Sequence, residues 1–177
     1  MSESVEVNQI MARAMKMERF GNNFFSLLAE MVEDDESRGI FILLASEEEH
    51  HYELFKEELE HSGEQPLMED GLEPNDIFIQ GVEKLIEEGP TFVLQYAMVV
   101  EQNVIDFYSA SLNKIKDAKV KKFLSGLIDI EKHHLKILGE NLTNLCMKPK
   151  SFTNQSYNCL NSGYEIIDLF GKSCITL

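Results

Sequence analysis

Cysteine is scarce in this sequence of 177 residues: there are three, Cys146, Cys159 and Cys174. Their number is odd, all three lie near the C-terminus, and none belongs to a C-x-x-C pair. Thiolate metal sites are typically built from such pairs, and disulfide-rich domains from an even number of cysteines. The cysteines therefore predict neither a thiolate metal site nor a disulfide framework.

Basic residues are also few, with 16 Lys and Arg against 31 Asp and Glu and a formal net charge of −15. A protein that binds nucleic acid needs a concentrated basic patch to neutralise phosphates, and no segment supplies one. The same shortage argues against binding to anionic membrane surfaces. Nucleic acid and membranes are thus excluded as expected partners, whereas cations are not.

No hydrophobic run is long enough to cross a bilayer. The longest, residues 92–100, is interrupted by Gln95 and falls far short of the twenty or so residues that a spanning helix needs. The N-terminal residues are acidic and lack the basic start and apolar stretch of a signal peptide. With 44% hydrophobic and 27% charged residues, the composition is that of a globular domain. We expect a cytoplasmic protein.

Strand signals are nearly absent before the tail, and hydrophobic residues instead recur at helical spacing. The pattern predicts an all-α fold, an antiparallel four-helix bundle over residues 1–145 followed by a C-terminal extension, residues 146–177. In the extension, residues 164–170 could form a short helix or strand. The four long helices are predicted at about Val5–Val32, from Asp34 or Asp35 to His61, from Gly89–Pro90 onward, and at about Asp117–Leu145.

A long crossover connection, about residues 62–89, joins the two pairs of helices. It is rich in Gly, Pro and acidic residues, and a short helix is predicted within it from Asn75 or Asp76 to Glu88. The chain also repeats itself at a spacing of 83 residues, so that the bundle is predicted to consist of two duplicated helical hairpins. The repeated residues include Ala14/Ala97, Met15/Met98, Glu18/Glu101, Phe24/Phe107, Leu44/Leu127, Glu48/Glu131, His50/His133, His51/His134 and Leu59/Leu142.

Acidic residues and histidines interrupt the apolar stripes at equivalent positions of both halves. In each half a glutamate lies thirty residues before a Glu-x-x-His motif. The midpoint between the two glutamates of a half is Glu33 in the first half and Lys116 in the second, and both midpoints lie in or beside the predicted turns. The two glutamates of each half should therefore lie at the same height in their antiparallel hairpin. Residues three apart share a helix face, which adds the histidines to this layer. The predicted layer consists of Glu18, Glu48, His51, Glu101, Glu131 and His134.

Four carboxylates in an apolar core are unfavourable unless cations balance them or protons neutralise them. A pair of divalent metal ions removes this difficulty. All the ligand atoms would be oxygen or nitrogen, which favours iron or manganese, with zinc as a further candidate. Two glutamates and two Glu-x-x-His motifs, one from each helix, are the ligand set of di-iron centres in bundles. The alternative is a metal-free bundle in which solvent reaches the acidic groups.

The doubled histidines allow a second register, because Glu47 and His50 are also three residues apart. Ile130 occupies the position equivalent to Glu47, so this register is not repeated. We therefore expect His50 and His133 to be exposed, or to hydrogen-bond to the ligands without binding metal. Tyr108 lies on the same helix face as Glu101, and its hydroxyl is predicted to hydrogen-bond to a ligand.

These motifs resemble the rubrerythrin family of ferritin-like di-iron proteins, over roughly residues 8 to 145. The matching segments are Glu18 leading into Phe24–Phe25, Leu44 to His51, Glu101 leading into Phe107–Tyr108, and Glu131 to His134. The resemblance implies two iron ions bridged by Glu48 and Glu131, with the six residues of the layer as the catalytic groups. Each of the four remaining ligands would bind one of the two iron ions; these ligands are Glu18, His51, Glu101 and His134.

The sequence departs from the family pattern in three places. Rubrerythrins usually carry a rubredoxin domain with two C-x-x-C pairs, which this sequence lacks, so a separate protein would have to donate electrons. Val104 replaces an additional carboxylate that lies three residues after the third-helix glutamate. Phe25 replaces a tyrosine at the end of the first-helix motif.

By resemblance, the expected function is a di-iron oxidoreductase of oxidative-stress defence that reduces hydrogen peroxide or dioxygen with Fe(II). A homodimer or small homo-oligomer with about two iron ions per chain would accompany it. One alternative is a ferroxidase serving iron storage, with a large hollow assembly and many irons per chain. Another is a non-catalytic helical module that binds a partner through its tail.

Overall fold

Helices make up nearly all of the described part of the chain. A computed structural model describes residues 3–61 and 74–147, and within these ranges it contains helices and no strands. The all-α prediction is confirmed, and the predicted helix ends are correct to within about two residues. The helices are α1 (Glu3–Met31), α2 (Asp35–His61), α3 (Asp76–Glu87), α4 (Pro90–Leu112) and α5 (Ala118–Met147).

One aspartate caps the second helix of each hairpin, Asp34 for α2 and Asp117 for α5. The Asp34 carboxylate accepts hydrogen bonds from the backbone N–H and the hydroxyl of Ser37, both at 2.9 Å. The Asp117 carboxylate accepts from the backbone N–H groups of Lys119 at 2.7 Å and Val120 at 3.1 Å. Such caps satisfy N–H groups that have no partner within the helix. The two caps are themselves 83 residues apart, so the repeat extends to the turns.

The short helix α3 lies between the two hairpins and begins at a side-chain cap, in which Asn75 accepts a hydrogen bond from the backbone N–H of Phe78 at 3.0 Å. It ends just before Gly89, whose φ of 100° is rarely adopted by other residues. Pro90 then opens α4, because the first position of a helix requires no N–H donor. The sequence prediction for this segment is confirmed.

Each half of the repeat forms one hairpin. Helix α1 packs mainly against α2 and α4 mainly against α5, while the hairpins meet through the α1/α4 and α2/α5 pairs. Helix α3 packs against α1 and α4. The short connections within each hairpin make its helices antiparallel. The structure therefore confirms a four-helix bundle of two hairpins.

The bundle has two apolar clusters, one toward each end. One contains Phe24, Phe25 and Phe41 among other residues, and the second contains Met11 and Phe55. Along each long helix, the predicted acidic layer lies between residues of the first cluster and residues of the second. Two dry clusters therefore flank the polar layer and separate it from both ends of the bundle.

The C-terminal end of α5 carries two features that periodicity alone did not explain. The buried Asn141 interrupts an apolar stripe, and its side-chain oxygen lies 3.1 Å from the Ser37 hydroxyl. Cys146 is disulfide-bonded, which the odd cysteine count did not lead us to expect. The predictions for residues 164–170 and for most of the extension lie outside the described residues, as does the crossover segment 62–73. No helix in the described ranges is long and apolar enough to span a membrane.

Candidate metal centre

The structure brings the six side chains of the predicted layer together at the centre of the bundle. Each of the four long helices contributes to the group, α1 and α4 with one glutamate each and α2 and α5 with a Glu-x-x-His motif. None of the six residues is more than 1% exposed. His50 and His133 instead face solvent, as the register argument predicted.

The ligand atoms divide into two overlapping groups. In each group, one atom from every residue lies within 4.8 Å of the atoms from the others, which is close enough to surround a metal ion. Glu48 and Glu131 belong to both groups, whereas every other residue belongs to one. The first group is Glu18, Glu48, His51 and Glu131, and the second is Glu48, Glu101, Glu131 and His134.

Both imidazole rings direct Nδ1 into the layer. Nδ1 of His51 lies 3.2 Å from Oε2 of Glu18 and 3.0 Å from Oε1 of Glu131. Nδ1 of His134 lies 2.9 Å from Oε2 of Glu131, 3.4 Å from Glu48 and 3.6 Å from Glu101. The two rings stack with their centroids 5.7 Å apart. Each histidine therefore presents one nitrogen to one group of carboxylates.

Although Glu131 and His134 lie within ion-pair distance of each other, most ligand atoms in the layer are buried without a well-aligned hydrogen bond. They are Oε1 of Glu18, both carboxylate oxygens of Glu48 and of Glu131, Oε1 of Glu101, and Nδ1 of His134. A buried polar atom without a partner typically costs about 1–3 kcal/mol. Metal ions would give all of these atoms a partner and balance the carboxylate charge. The oxygen and nitrogen donor set suits iron or manganese, so the residues fit a two-metal centre.

Burial shifts the protonation of the layer when metal is absent. Desolvation, reinforced by the neighbouring Glu48, raises the pKa of both Glu18 and Glu101 well above the ordinary 4.5. Burial also acts to raise the pKa of Glu131, but its contacts with His134 and His51 outweigh it and lower that pKa to about 2. Metal ions must therefore displace protons from this layer when they bind.

The protonation of His134 is shifted in the opposite sense to that expected for a buried base. Burial alone would lower the pKa of His134, yet its contacts with Glu101, Glu131 and Glu48 raise it well above the ordinary 6.5. In the metal-free protein His134 thus holds a proton that counterbalances part of the carboxylate charge. Metal binding at Nδ1 requires that nitrogen to lose its proton.

Glu47 contacts the centre in a way that the sequence argument did not foresee. Its carboxylate Oε2 lies 2.6 Å from Nε2 of His134, on the side of the ring opposite Nδ1. The repeat argument set Glu47 aside because its counterpart is Ile130. The contact between Glu47 and His134 could have been predicted from the position of Glu47, which directly precedes the ligand Glu48 on the helix that packs against α5.

Tyr108 is fully buried, with its ring centroid 5.7 Å from that of Phe55. Its hydroxyl has no hydrogen-bond partner within residues 3–61 and 74–147. The predicted hydrogen bond to a metal ligand is therefore not formed in the structure, because the tyrosine belongs to the apolar cluster beside the layer. A role for Tyr108 at the centre stays a prediction.

Gly21 lies close to a shared carboxylate. A Cβ atom added at this position would lie 2.9 Å from Oε2 of Glu48 and 3.1 Å from its Cδ. Because these atoms belong to the end of a side chain, the fold can tolerate the added methyl group by moving the carboxylate. The glycine therefore leaves space for one particular position of Glu48.

We expect Gly21→Ala to weaken metal binding by about 10- to 100-fold, because it displaces a carboxylate that belongs to both groups. The metal-free protein should unfold at nearly the same temperature as the unmodified protein, because the helix stability gained by replacing Gly21 offsets the cost of moving the Glu48 carboxylate. Gly126→Ala is the matched control, since its added Cβ meets no atom within 4 Å. This control should bind metal normally and gain about 0.5–1 kcal/mol in helix stability. Calorimetric metal titration and thermal unfolding of both variants measure these effects.

Comparison with known proteins gives the same fold and a family. The family model described as rubrerythrin matches residues 6–142. Among solved structures, the chain is similar to one described as ferritin like, diiron-carboxylate proteins from Bacillus anthracis str. Ames. The two share 17% sequence identity and superpose with a TM-score of 0.63. The similarity covers 80% of this chain and 99% of the other. At this identity the likeness shows the fold. No curated protein matches the sequence. Because the family match spans most of the chain and includes all six clustered residues, the chain belongs to the rubrerythrin family.

Proposed function

We propose that the protein is a di-iron oxidoreductase that reduces hydrogen peroxide or dioxygen. The observation that carries the proposal is the pair of overlapping ligand groups with two shared carboxylates, Glu48 and Glu131. This arrangement suits two metal ions, and the similar solved structure is described as a diiron-carboxylate protein. When bound, two ferrous ions would supply the two electrons that the reduction consumes.

The protein would contribute position, charge balance and exclusion of water. Glu48 and Glu131 would hold both ions, and each of the other four residues would hold one. The apolar clusters on either side of the layer keep bulk water away from it. In such a low-dielectric site, the carboxylates would balance the charge of bound metal ions more strongly than they would in water.

Two kinds of partner accompany the proposal. Reduction of each hydrogen peroxide to two waters consumes two electrons and two protons, and the two electrons must be replaced before the next turnover. We therefore propose a separate electron-donor protein. We also propose a homodimer or small homo-oligomer, because the ligands of both metal positions come from one chain and the centre needs no large shell.

Anaerobic loading with Fe(II), followed by metal counting and rapid mixing, tests the proposed function. We expect about two irons per chain and oxidation of the centre within one turnover when peroxide or dioxygen is added, monitored by absorbance. The faster oxidant identifies the substrate. Many irons per chain together with a large assembly would instead indicate a storage ferroxidase. Purified protein that binds no metal, and whose stability Fe(II) leaves unchanged, would support a non-catalytic binding module.

A further inference from the structure

The two histidines of the centre differ on the side that faces away from it. Nε2 of the buried His134 lies 2.6 Å from the Glu47 carboxylate, which is 39% exposed. The carboxylate contacts of His51, to Glu18 and Glu131, are both made by Nδ1. Within residues 3–61 and 74–147, no carboxylate contacts Nε2 of His51. Only one of the two histidines therefore has an outer carboxylate partner in this part of the chain.

The internal repeat shows why the outer partners differ. Glu47 precedes Glu48 by one residue, and Ile130 precedes Glu131 by one residue in the other half. Ile130 is 40% exposed, so its position is open to solvent much as that of Glu47 is. The six ligand residues form three identical pairs at equivalent positions of the two halves, whereas Glu47 and Ile130 differ from each other.

An outer carboxylate affects how a histidine binds metal. An imidazole that binds metal through one nitrogen carries its proton on the other, and an acceptor for that proton fixes the tautomer and the ring orientation. A carboxylate acceptor also makes the metal-binding nitrogen more basic. Glu47 is placed to hold the proton of His134 on Nε2 and so to leave Nδ1 available to a metal ion. Among the residues that the structure describes, no carboxylate gives His51 this restraint.

We propose that Glu47 is a positioning residue that makes the two metal positions unequal. The position formed by Glu48, Glu101, Glu131 and His134 binds its ion more tightly and fills first. The position that contains Glu18 and His51 fills second. This inference rests on the two-metal centre of the proposed function and adds the order in which that centre is assembled.

Titration of the metal-free protein with Co(II) under anaerobic conditions tests the proposal, with calorimetry giving affinities and visible absorbance reporting each site. We expect two separate binding steps for the unmodified protein. Glu47→Ala should weaken the tighter step by about 10- to 100-fold and leave the weaker step within a few-fold of its original value. Glu47→Gln keeps an acceptor oxygen and should give an intermediate loss in the same step.

Two further variants separate positioning from a general effect on charge or folding. Glu53→Gln removes a carboxylate of similar exposure, 44%, from the same helix without touching the centre, and should leave both steps unchanged. Ile130→Glu places a carboxylate at the equivalent position of the other half and should strengthen the weaker step. A merely structural role of Glu47 would lower both affinities equally and would give no gain at Ile130.

The outcomes also separate this inference from the proposed function. Two equal metal sites in the unmodified protein, or equal weakening of both sites in Glu47→Ala and Glu47→Gln, would overturn the role of Glu47 and leave the two-metal centre intact. Absence of Co(II) binding to the unmodified protein would contradict the centre itself, and the inference with it.

Discussion

Replacement of Glu48 by glutamine is expected to abolish binding of both metal ions and at the same time to stabilise the metal-free protein. Glu48 supplies a ligand atom to both groups, so its loss affects both positions. Both of its carboxylate oxygens are buried without a hydrogen bond. Since glutamine removes one of four carboxylates that are crowded together in the core, the free energy of unfolding of the metal-free variant should rise.

Glu131 is the informative comparison, because it also belongs to both ligand groups but lies closer to the two imidazole rings than Glu48 does. Its two oxygens lie 3.0 Å from His51 and 2.9 Å from His134, and these contacts hold its pKa at about 2. Glu131→Gln should also abolish binding of both ions, but it should destabilise the metal-free protein because His134 loses a buried carboxylate partner at 2.9 Å. Two variants with the same effect on metal binding thus have opposite effects on stability.

Metal counting after anaerobic Fe(II) loading, combined with thermal unfolding of the metal-free proteins, measures these effects. Glu18→Gln and Glu101→Gln each remove a residue from one group only and should retain one ion per chain. For the unmodified protein, metal at 100 times its dissociation constant should add about 2.7 kcal/mol for each filled site. Retention of two ions by Glu48→Gln would refute the assignment of the shared ligands.

Much of the fold could be predicted from the sequence because local rules and the repeat agree. The capping aspartate at Asp34, the Gly89–Pro90 boundary and the alternation of apolar residues each indicate the same helix ends that the structure has. The six clustered residues followed from spacing alone, since equal distances from a turn place two residues at the same height in an antiparallel hairpin.

What the sequence did not predict depends on lateral neighbours across helices. Glu47 reaches His134 because α2 and α5 are adjacent and because its side chain can extend around the ring, which a repeat argument cannot reveal. Likewise, Asn141 meets Ser37 at the end of the bundle, far away in sequence. Tyr108 shares a helix face with Glu101, yet its hydroxyl lies within the neighbouring apolar cluster. Periodicity specifies the face of a helix but not the atom that a side chain reaches.

The stability of the metal-free protein is expected to decrease as pH rises from about 5 to 8. Glu18 and Glu101 have folded pKa values raised well above 4.5, so their stabilisation is complete below pH 4.5 and is lost as pH rises above that value. His134, with its pKa raised from 6.5, adds a further loss above pH 6.5. Within the buried layer Glu131 acts oppositely, and its contribution changes between pH 4.5 and about 2, below this range.

The metal-loaded protein should show the opposite trend relative to the metal-free form. Metal ions displace the protons that these groups hold, so binding strengthens as pH rises. The increase in unfolding temperature produced by Mn(II), which avoids oxidation during the measurement, should therefore grow from pH 5 to pH 8.

The double variant Glu18→Gln/Glu101→Gln removes two of the titrating carboxyl groups while leaving the surface unchanged. Its metal-free stability should vary less with pH than that of the unmodified protein, and equal slopes for the two proteins would show that the surface acids, rather than the buried layer, govern the pH dependence.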